Sequence, residues 1–410
     1  MLIPGLTLAA DDLTGAAEVA AGASRSWDAR LLDWRHAAGE LPPRPGLAAS
    51  INTGSRHLPV TQAVERLRRL LAELSEDAWF YKKCDSTLRG PIAEEVKAVR
   101  ERFPNRPLWY IGAAPGAGRT VRDGRVYVED QPVADTDFAR DPLFPVKTSE
   151  LPLLFAEAGM STALWQPGQE AVENADIIVA DGRSLHDLEQ LAASLSRLPS
   201  PPMLAGAGAF VPLLPKLMGA PMGELSRGLA IGQPCLILNG SLHPVGLKQV
   251  VTAEQAGTAA IVLQPDCFFG PNAERQFAGR VAEARTLLRQ GASVIVRTVA
   301  IPEETNEFRA AAEKAGYSGH TIHVAITETL ARFGSALLEE TMPHTLISFG
   351  GELAEQLWLS LRVREARMLG FAHDHLAVTE AVTETNRQFV WATKPGGFGA
   401  PTLLTGLLHV

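Results

Sequence analysis

The sequence has few cysteines, and their spacing matches neither a metal site nor a disulfide framework. Its three cysteines, Cys84, Cys235 and Cys267, lie far apart in 410 residues and form no Cys-x-x-Cys pair. This pattern excludes a zinc ribbon and a disulfide-rich secreted domain, and it fits a reducing compartment. The first residues also lack the cationic segment of a signal peptide, so we predict a cytoplasmic protein.

The sequence also lacks an excess of basic residues and a long apolar run. Lysine and arginine number 38 against 46 acidic residues, and the net charge of −8 argues against a nucleic-acid-binding protein, which usually carries a basic domain. No apolar run reaches the ~18 residues of a membrane-spanning helix, so we predict no membrane insertion. Hydrophobic residues still make up 46% of the chain, which is enough for packed cores, and its length favours two domains.

The order of apolar runs predicts an α/β fold with two domains. Short apolar segments alternate with helical patterns, which is typical of mostly parallel sheets flanked by helices. The Gly- and Pro-rich segment 218–232 separates the two halves, so we predict domains of residues 1–222 and 223–410. The predicted strands are 6–10, 47–51, 78–81, 108–112 and 177–180 in the first half and 234–238, 259–263, 293–297, 346–349 and 388–392 in the second.

The segment 82–90 reads Lys-Lys-Cys-Asp-Ser-Thr-Leu-Arg-Gly and directly follows a predicted buried strand. In open α/β sheets, ligands bind outside the carboxyl ends of the strands, so this segment has the position of an active-site edge. Its lysines and arginine suit an anionic small molecule, and Arg89 can hold a carboxylate or phosphate through two hydrogen bonds. A solvated loop that ends at Gly90 explains the same residues, and the segment alone leaves both interpretations open.

Two adjacent acids, Asp11 and Asp12, follow the first predicted strand where a helix should begin. Carboxylates there can deprotonate a hydroxyl or hold a cation, and aspartate is equally common as the N-terminal cap of a helix. A phosphatase of the haloacid dehalogenase type would carry Asp-x-Asp here, and the adjacent acids depart from that pattern. Arg56, in the polar turn after the second strand, brings another cation to the same sheet edge.

Glycine-bearing turns follow three predicted strands of the second half, at residues 239–241, 350–352 and 395–399, and Lys394 precedes the last of them. Glycine lets the backbone approach a phosphate closely, and a following helix adds the positive end of its dipole. Together these turns favour a nucleotide site. The segment 112–120 is also rich in glycine, but it departs from the P-loop pattern because Arg119 stands where lysine is required.

Taken in order, these motifs resemble those of the four-carbon acid sugar kinases. The segment 82–90 is the specific element, and the resemblance spans nearly the whole chain. The matching segments are 10–16, 53–56, 82–90, 118–120 and 141–146 with Ser149 in the first half, and 240–241, 350–352 and 394–399 in the second.

The resemblance implies a kinase with an N-terminal domain that binds a sugar acid and a C-terminal domain that binds ATP. The γ-phosphoryl group would pass to a hydroxyl of a threonate, an erythronate or an oxo-tetronate, with Mg²⁺ bridging the phosphates. The partner is thus a small-molecule sugar acid. The sequence does not specify which acid, which hydroxyl or which metal ligands, and a homodimer is an ordinary state for such a chain.

Matched residue by residue, the resemblance implies roles in the acceptor site. Asp12 and Asp85 are the candidate bases for the attacking hydroxyl, and Lys82 would offset charge on the transferred phosphate. Arg56 and Arg89 suit the carboxylate of the acid. The remaining residues that would bind the substrate are Asp11, Lys83 and Ser86.

The resemblance also implies a nucleotide site at the glycine turns, where two residues depart from the family's usual pattern. Leu353 replaces the threonine after Gly-Gly-Glu, and Pro395, which cannot donate a backbone hydrogen bond, replaces a serine. These departures motivate an alternative, a sugar-acid-binding protein with weakened or lost ATP use. A phosphatase with Asp11 or Asp12 as nucleophile is a further alternative. The predicted nucleotide-binding residues are Ser241, Gly350, Gly351, Glu352, Gly396 and Gly397.

Overall fold

The computed structural model describes residues 3–141, 144–170, 174–224, 226–299, 302–340, 343–373, 376–394, 397 and 399–408. The chain divides into two compact units, Met1–Leu225 and Ser226–Val410. Of the predicted nucleotide-binding residues, Gly396 lies outside the described residues, and so does the neighbouring Pro395.

The first unit is built on a parallel sheet flanked by helices. Its strands are β1 (Leu6–Ala10), β2 (Asp28–Asp33), β3 (Leu47–Asn52), β4 (Trp79–Lys83), β5 (Leu108–Ile111), β6 (Arg119–Arg122), β7 (Arg125–Val128), β8 (Gln131–Pro132), β9 (Thr162–Trp165), β10 (Ile177–Ala180) and β11 (Met203–Gly206). Its helices are α1 (Leu13–Ala23), α2 (Val60–Ala72), α3 (Ile92–Arg102), α4 (Leu151–Glu157), α5 (Leu185–Leu195) and α6 (Leu214–Leu217). The main sheet has the order β2-β3-β1-β4-β11-β5-β10-β9, and β6, β7 and β8 form a small antiparallel sheet.

The central strand β1 explains how this sheet positions a site. All of its residues are buried, because both faces of a parallel sheet are covered. Leu6 pairs with Ala48 of β3 on one side and with Trp79 of β4 on the other. The loops that follow β1, β3 and β4 therefore meet at one edge of the sheet, where α/β proteins bind their ligands.

The second unit has a mixed sheet in which parallel pairs predominate. Its strands are β12 (Cys235–Asn239), β13 (Ala259–Val262), β14 (Val294–Arg297), β15 (Thr345–Phe349), β16 (Val363–His373), β17 (Leu376–Thr383) and β18 (Gln388–Lys394). Its helices are α7 (Pro244–Gln255), α8 (Ala273–Arg289), α9 (Pro302–Lys314), α10 (His320–Glu340), α11 (Gly351–Ser360) and α12 (Leu403–Leu408). The strand order is β13-β14-β12-β15-β18-β17-β16, with parallel pairing from β13 to β18 and antiparallel pairing beyond it.

The predicted fold class is confirmed, since a mostly parallel sheet with helices forms each unit. The sequence pattern does not predict β16, because register shifts within this antiparallel strand interrupt its alternation of buried and exposed residues. Residues 119–122 form strand β6 where a P-loop would begin a helix, so this segment is not a P-loop. In the described part of the chain, every helix is too short or too polar to cross a membrane.

Candidate functional site

The carboxyl ends of β1, β3 and β4 bring together five charged side chains, which we call the Arg56 cluster: Asp11, Asp12, Arg56, Asp85 and Arg89. Arg56 donates from Nε to Oδ2 of Asp11 at 2.7 Å and from Nη2 to Oδ1 of the same carboxylate at 3.0 Å. Its Nη1 donates to Oδ2 of Asp12 at 2.7 Å. Burial alone would raise the pKa of Asp11, but Arg56 and the lysines of β4 hold it below its ordinary value. Arg56 thus organises two carboxylates from the end of β1.

Asp85 and Arg89 form a second ion pair of the cluster. Arg89 donates to Asp85 from Nε at 2.8 Å and from Nη2 at 3.1 Å, and the Thr87 hydroxyl donates to the same carboxylate at 2.5 Å. Between them, Leu88 has a left-handed φ of 64°, which turns the chain where Arg89 folds back onto Asp85. Burial would raise the pKa of Asp85, but Arg56 and Arg89 hold it well below its ordinary value. Asp85 is therefore a weak base.

Asp12 is a helix cap and also the most accessible carboxylate of the cluster. Its Oδ1 accepts the N–H of Gly15 at 2.8 Å, so it caps α1. A Cβ at Gly15 would lie 2.6 Å from that oxygen, which explains the glycine. The Asp12 side chain is 21% exposed, against 2% for Asp11 and 9% for Asp85. A carboxylate has about four acceptor positions, so Asp12 can accept a further proton donor.

Lys82 is fully buried in what we call the Lys82 network: Lys82, Glu95, Ser55 and Thr53. The Lys82 Nζ lies 2.9 Å from Oε2 of Glu95, whose Oε1 accepts the Ser55 hydroxyl at 2.7 Å. The Ser55 and Thr53 hydroxyls are 2.8 Å apart. Burial would lower the pKa of Lys82, but the Glu95 carboxylate raises it above its ordinary value, so the ammonium stays charged. This network ties β4 to α3 and to the turn after β3.

Lys83 points to the start of α1. Its Nζ donates to the Cys84 carbonyl at 2.9 Å and lies 3.5 Å from Oε2 of Glu18. A Cβ at Gly15 would be 3.4 Å from this Nζ, so Lys83 adjoins the residue that Asp12 caps. Burial would lower the pKa of Lys83, but Glu18 and the aspartates of the cluster raise it. Ser86 is half-buried in the turn after β4.

The first two glycine turns of the second unit, 239–241 and 350–352, follow the neighbouring parallel strands β12 and β15, and Lys394 ends the next strand, β18. The Gly240 N–H donates to the Phe349 carbonyl at 3.1 Å, and the Gly350 N–H donates to the Lys394 carbonyl at 3.0 Å. Gly350 has a φ of 103°, which strains any residue with a side chain. Gly351 begins α11, which has no side-chain cap among the described residues. The N–H groups of its first turn can therefore bind an anion.

The other predicted nucleotide-binding residues that the structure describes, Ser241, Glu352 and Gly397, lie around these turns. A Cβ at Gly350 would be 3.7 Å from the nitrogen of Ser241, and a Cβ at Gly397 would be 3.2 Å from Nε2 of His243. Glu352 lies in the first turn of α11. Lys394 ends β18 with its Nζ 4.6 Å from the centre of the Phe349 ring, and burial lowers the pKa of Lys394 to about 8.

Comparison with known proteins relates both units to sugar-acid kinases. A family model of a sugar-binding N-terminal domain matches residues 6–214, and a model of a nucleotide-binding C-terminal domain matches residues 236–404. The chain is 28% identical to D-threonate kinase of Salmonella typhimurium, over 98% of this chain and 96% of that protein. It is 27% identical to 3-oxo-tetronate kinase of Methylobacterium radiotolerans, over 79% of this chain and 82% of that protein. The chain belongs to the four-carbon acid sugar kinase family.

Membership in the four-carbon acid sugar kinases confirms the predicted family and the predicted class of enzyme, a sugar-acid kinase. A solved structure of a Salmonella typhimurium LT2 protein is also similar, with a TM-score of 0.80 and 18% identity over 98% of each chain. At that identity, the likeness shows the fold alone.

The geometry of this kinase revises two roles that the resemblance implied. Arg56 has a side chain only 11% exposed and directs its donors to Asp11 and Asp12, so it orders carboxylates of the protein. Lys82 is fully buried against Glu95, so it cannot reach a phosphate without breaking that ion pair. Arg89, with a side chain 28% exposed, is the better candidate to hold an anionic substrate, because the Lys83 side chain is only 5% exposed and lies beside Glu18.

Sequence reasoning missed the two glutamates that pair with the lysines of this kinase. Glu95 lies in the first turn of α3, where an acid is usually an exposed partner of the helix dipole. Glu18 lies within α1 among alanines. The available signal was the pair of lysines at the end of a buried strand, because buried ammonium groups require counter-charges.

Replacing Glu95 by glutamine in this kinase is expected to destabilise the first unit by about 3–5 kcal/mol, because the Lys82 ammonium loses its buried counter-charge. The paired replacement Lys82→Met with Glu95→Leu removes both charges and should recover most of that stability. Chemical denaturation measures both effects. A stable paired variant that keeps the kcat of the parent would show that Lys82 has a structural role. A stable paired variant without activity would show instead that Lys82 takes part in the reaction.

Proposed function

We propose that this kinase transfers the γ-phosphoryl group of ATP to a hydroxyl of D-threonate or a closely similar four-carbon acid. Family membership supports the class of reaction, and the alignment with D-threonate kinase over nearly the whole chain supports this acid. The observation that carries the proposal is the Arg56 cluster, in which an accessible carboxylate and an accessible arginine lie at the ligand-binding edge of a parallel sheet.

Asp12 is the proposed base for the attacking hydroxyl. It is the most exposed carboxylate of the cluster, whereas Asp85 is buried and is a weak base because Arg56 and Arg89 hold its pKa low. The hydrogen bond from Arg56 orients Asp12, and Asp11 in turn fixes Arg56 through two hydrogen bonds. Positioning of this kind accounts for much of the rate of phosphoryl transfer.

Arg89 is the proposed ligand of the acid's carboxylate. The Nη1 of Arg89 lies 3.7 Å from Oδ2 of Asp141, which is longer than a hydrogen bond, so a substrate carboxylate can take that donor. Arg89 also has its guanidinium 5.3 Å from the centre of the Phe138 ring, which restricts its motion. A restricted arginine loses less conformational entropy when it binds a planar carboxylate.

The glycine turns are the proposed site of the ATP phosphates. The positive φ of Gly350, which glycine adopts without strain, and the uncapped start of α11 among the described residues fit a backbone that holds an anion. The departure at Leu353 does not weaken this fit, because that side chain is 1% exposed and packs against Gly240. A residue buried in this way contributes to the core whether or not it has a hydroxyl.

Mg²⁺ fits this site as part of the ATP complex. Among the described residues, no group of three or more His, Cys, Asp or Glu side chains is arranged to hold a metal ion by itself. Mg²⁺ commonly binds through one or two carboxylates and the substrate phosphates, and Glu352 would supply a carboxylate here. When bound, the ion offsets the charge of the phosphates.

An ADP-release assay on the purified chain tests the proposed function. The acceptors are D-threonate, L-threonate, D-erythronate and 3-oxo-tetronate, and mass spectrometry identifies the product. We expect ADP release that requires an acid, with D-threonate among the best acceptors. If ADP release occurs with none of them while an acid raises Tm, the proposal fails and a sugar-acid-binding protein with lost ATP use takes its place.

Lys394 is expected to make nucleotide affinity depend on pH. Because burial lowers its pKa to about 8, the ammonium is charged below that pH and loses its charge above it. The Kd for ADP should therefore increase as the pH rises through about 8, and Lys394→Met should bind ADP with a Kd that no longer changes in this range. Isothermal titration calorimetry measures the Kd for ADP at one pH unit below and one pH unit above the Lys394 pKa of about 8. A variant with the same pH dependence as the parent chain would contradict the assignment.

A further inference from the structure

His323 of α10 lies beside Glu352, the acid in the first turn of α11. The two side chains form a hydrogen bond, with 2.5 Å between Nε2 of His323 and Oε2 of Glu352. An ionised carboxylate only accepts, so the imidazole donates the proton. A hydrogen bond to an ionised acceptor is roughly twice as strong as one between neutral groups. The carboxylate proposed above as a ligand of Mg²⁺ is therefore held by a residue of another helix.

Helix α10 is a fixed support for His323, because it packs closely against α11. A Cβ at Gly334 of α10 would be 2.9 Å from Cδ2 of Leu357 on α11, so the two helices touch at this glycine. The hydroxyl oxygens of Ser335 and Ser360 are 2.6 Å apart. These contacts fix the two helices relative to each other, so the imidazole donates to Glu352 from a defined position.

The Glu352 side chain needs such a support, because it is 52% exposed. An exposed glutamate samples several rotamers, and fixing one of them costs conformational entropy. The hydrogen bond from His323 restricts the side chain before a ligand binds. A carboxylate has about four acceptor positions, so Glu352 can bind a cation while His323 occupies one of them. At metal sites, the loss of such a hydrogen-bond partner typically lowers metal affinity by about 10–100-fold.

We propose that His323 is a positioning residue that orients the Glu352 carboxylate for the Mg²⁺ of the bound nucleotide. The inference rests on the Mg²⁺ ligand proposed above, and it adds a residue that lies outside the glycine turns. An ordinary surface ion pair between two helices would explain the same contact. Such a pair would contribute a little to stability and would not affect the binding of Mg²⁺.

His323 also borders a cavity in the second unit, so a test at this residue must separate two effects. The volume of the cavity is about 380 Å³. The apolar part of its wall consists of Leu242, Val299, Phe308, Ile322 and Ile326. A replacement of His323 changes this wall whether or not Mg²⁺ is bound, whereas a misplaced Glu352 matters only when Mg²⁺ is bound. The ratio of the Kd for ADP without Mg²⁺ to the Kd with Mg²⁺ therefore measures the effect on Glu352.

His323→Leu and His323→Gln in the full chain test this proposal. Isothermal titration calorimetry measures the Kd for ADP in excess Mg²⁺ and in EDTA, at one pH and without a sugar acid. We expect His323→Leu to increase the Kd in Mg²⁺ about tenfold and to leave the Kd in EDTA unchanged. His323→Gln should restore the Kd in Mg²⁺, because its amide nitrogen can donate to Glu352 in place of Nε2. Glu328→Leu is the matched control, because Glu328 is exposed on the same helix and is not part of the cavity wall.

A double-mutant cycle with Glu352→Gln identifies the carboxylate as the group through which His323 acts. Glu352→Gln alone should reduce the effect of Mg²⁺ on the Kd for ADP. Adding His323→Leu should cause no further change, because Glu352→Gln has already removed the anionic ligand that His323 orients. Additive losses would show that His323 acts by another route and would overturn the proposal.

Other results would also overturn the positioning role. It fails if His323→Leu keeps the parent's ratio of the two Kd values, or if ADP loses affinity equally in Mg²⁺ and in EDTA. If His323→Leu does not fold, His323→Asn replaces it with the same expected result, because its side chain is one methylene shorter than that of glutamine. The expected loss in His323→Leu, in a parent chain that phosphorylates no acid, would overturn the proposed function and keep the positioning role. Turnover by a parent chain whose Kd for ADP does not depend on Mg²⁺ would do the reverse.

Discussion

Replacing Asp12 by asparagine is expected to lower kcat by about 10²–10⁴-fold in a chain that still folds. The amide oxygen can still accept the N–H of Gly15, so the cap of α1 is kept. The amide cannot accept the proton of the attacking hydroxyl, so the step that Asp12 is proposed to assist becomes slow. Steady-state kinetics with the acceptor that proves best measures kcat, and thermal unfolding checks the fold.

Asp85→Asn is the matched comparison for Asp12→Asn, because it makes the same chemical change within the same cluster. The Asp85 carboxylate accepts hydrogen bonds from Arg89 and Thr87, and its pKa is strongly lowered. Loss of this carboxylate should therefore reduce stability, and it should raise the KM for the acid more than it lowers kcat. The assignment of the base is wrong if Asp85→Asn abolishes turnover while Asp12→Asn retains it.

Replacing Arg56 by alanine is expected to destabilise the first unit by about 3–5 kcal/mol, because Asp11 and Asp12 lose their buried counter-charge. For a unit of this size, Tm should fall by roughly 2–4 °C for each kcal/mol. The loss of stability in this variant should depend on pH, and the direction follows from the lowered pKa values of Asp11 and Asp85. Their contribution to stability is present above the ordinary aspartate pKa and is lost as the pH falls below it. The stability of the variant should therefore be closest to that of the parent at acidic pH.

Arg68→Ala is the control for Arg56→Ala. The Arg68 side chain lies 2.7 Å from Glu101, but the two are 56% and 47% exposed, so this ion pair should contribute less than about 1 kcal/mol. Chemical denaturation at neutral pH and in acid compares the two variants. Equal effects of Arg56→Ala and Arg68→Ala would show that the Arg56 cluster is not the buried network that the contacts describe.

The position of the Arg56 cluster could be predicted from the sequence, because it depends on a local rule. Asp11, Arg56 and Asp85 each follow a buried apolar strand, and the ends of parallel strands share one edge of a sheet. The pairing within the site could not be predicted in this way. The sequence suggested that Arg56 and Lys82 face the substrate, whereas Arg56 contacts Asp11 and Asp12, and Lys82 contacts Glu95.

The cavity of the second unit illustrates the same limit. The glycine turns can be identified in the sequence, because glycine has a distinct backbone freedom. The apolar wall consists of leucine, valine, phenylalanine and isoleucine side chains, from residues 242–326, that look like ordinary core residues in a linear sequence. The space between them forms where α9 and α10 pack beside Leu242 and Val299.

By itself, the sequence determined the fold class, the family and the strand ends at which charged residues gather. These properties depend on apolar periodicity and on short motifs, which the order of residues contains directly. The tertiary structure decided which charges pair and which remain accessible, since Arg56 lies 45 residues from the Asp11 that it binds. Burial then determines the role of each group, because a buried charge needs a partner and an accessible one can bind a substrate.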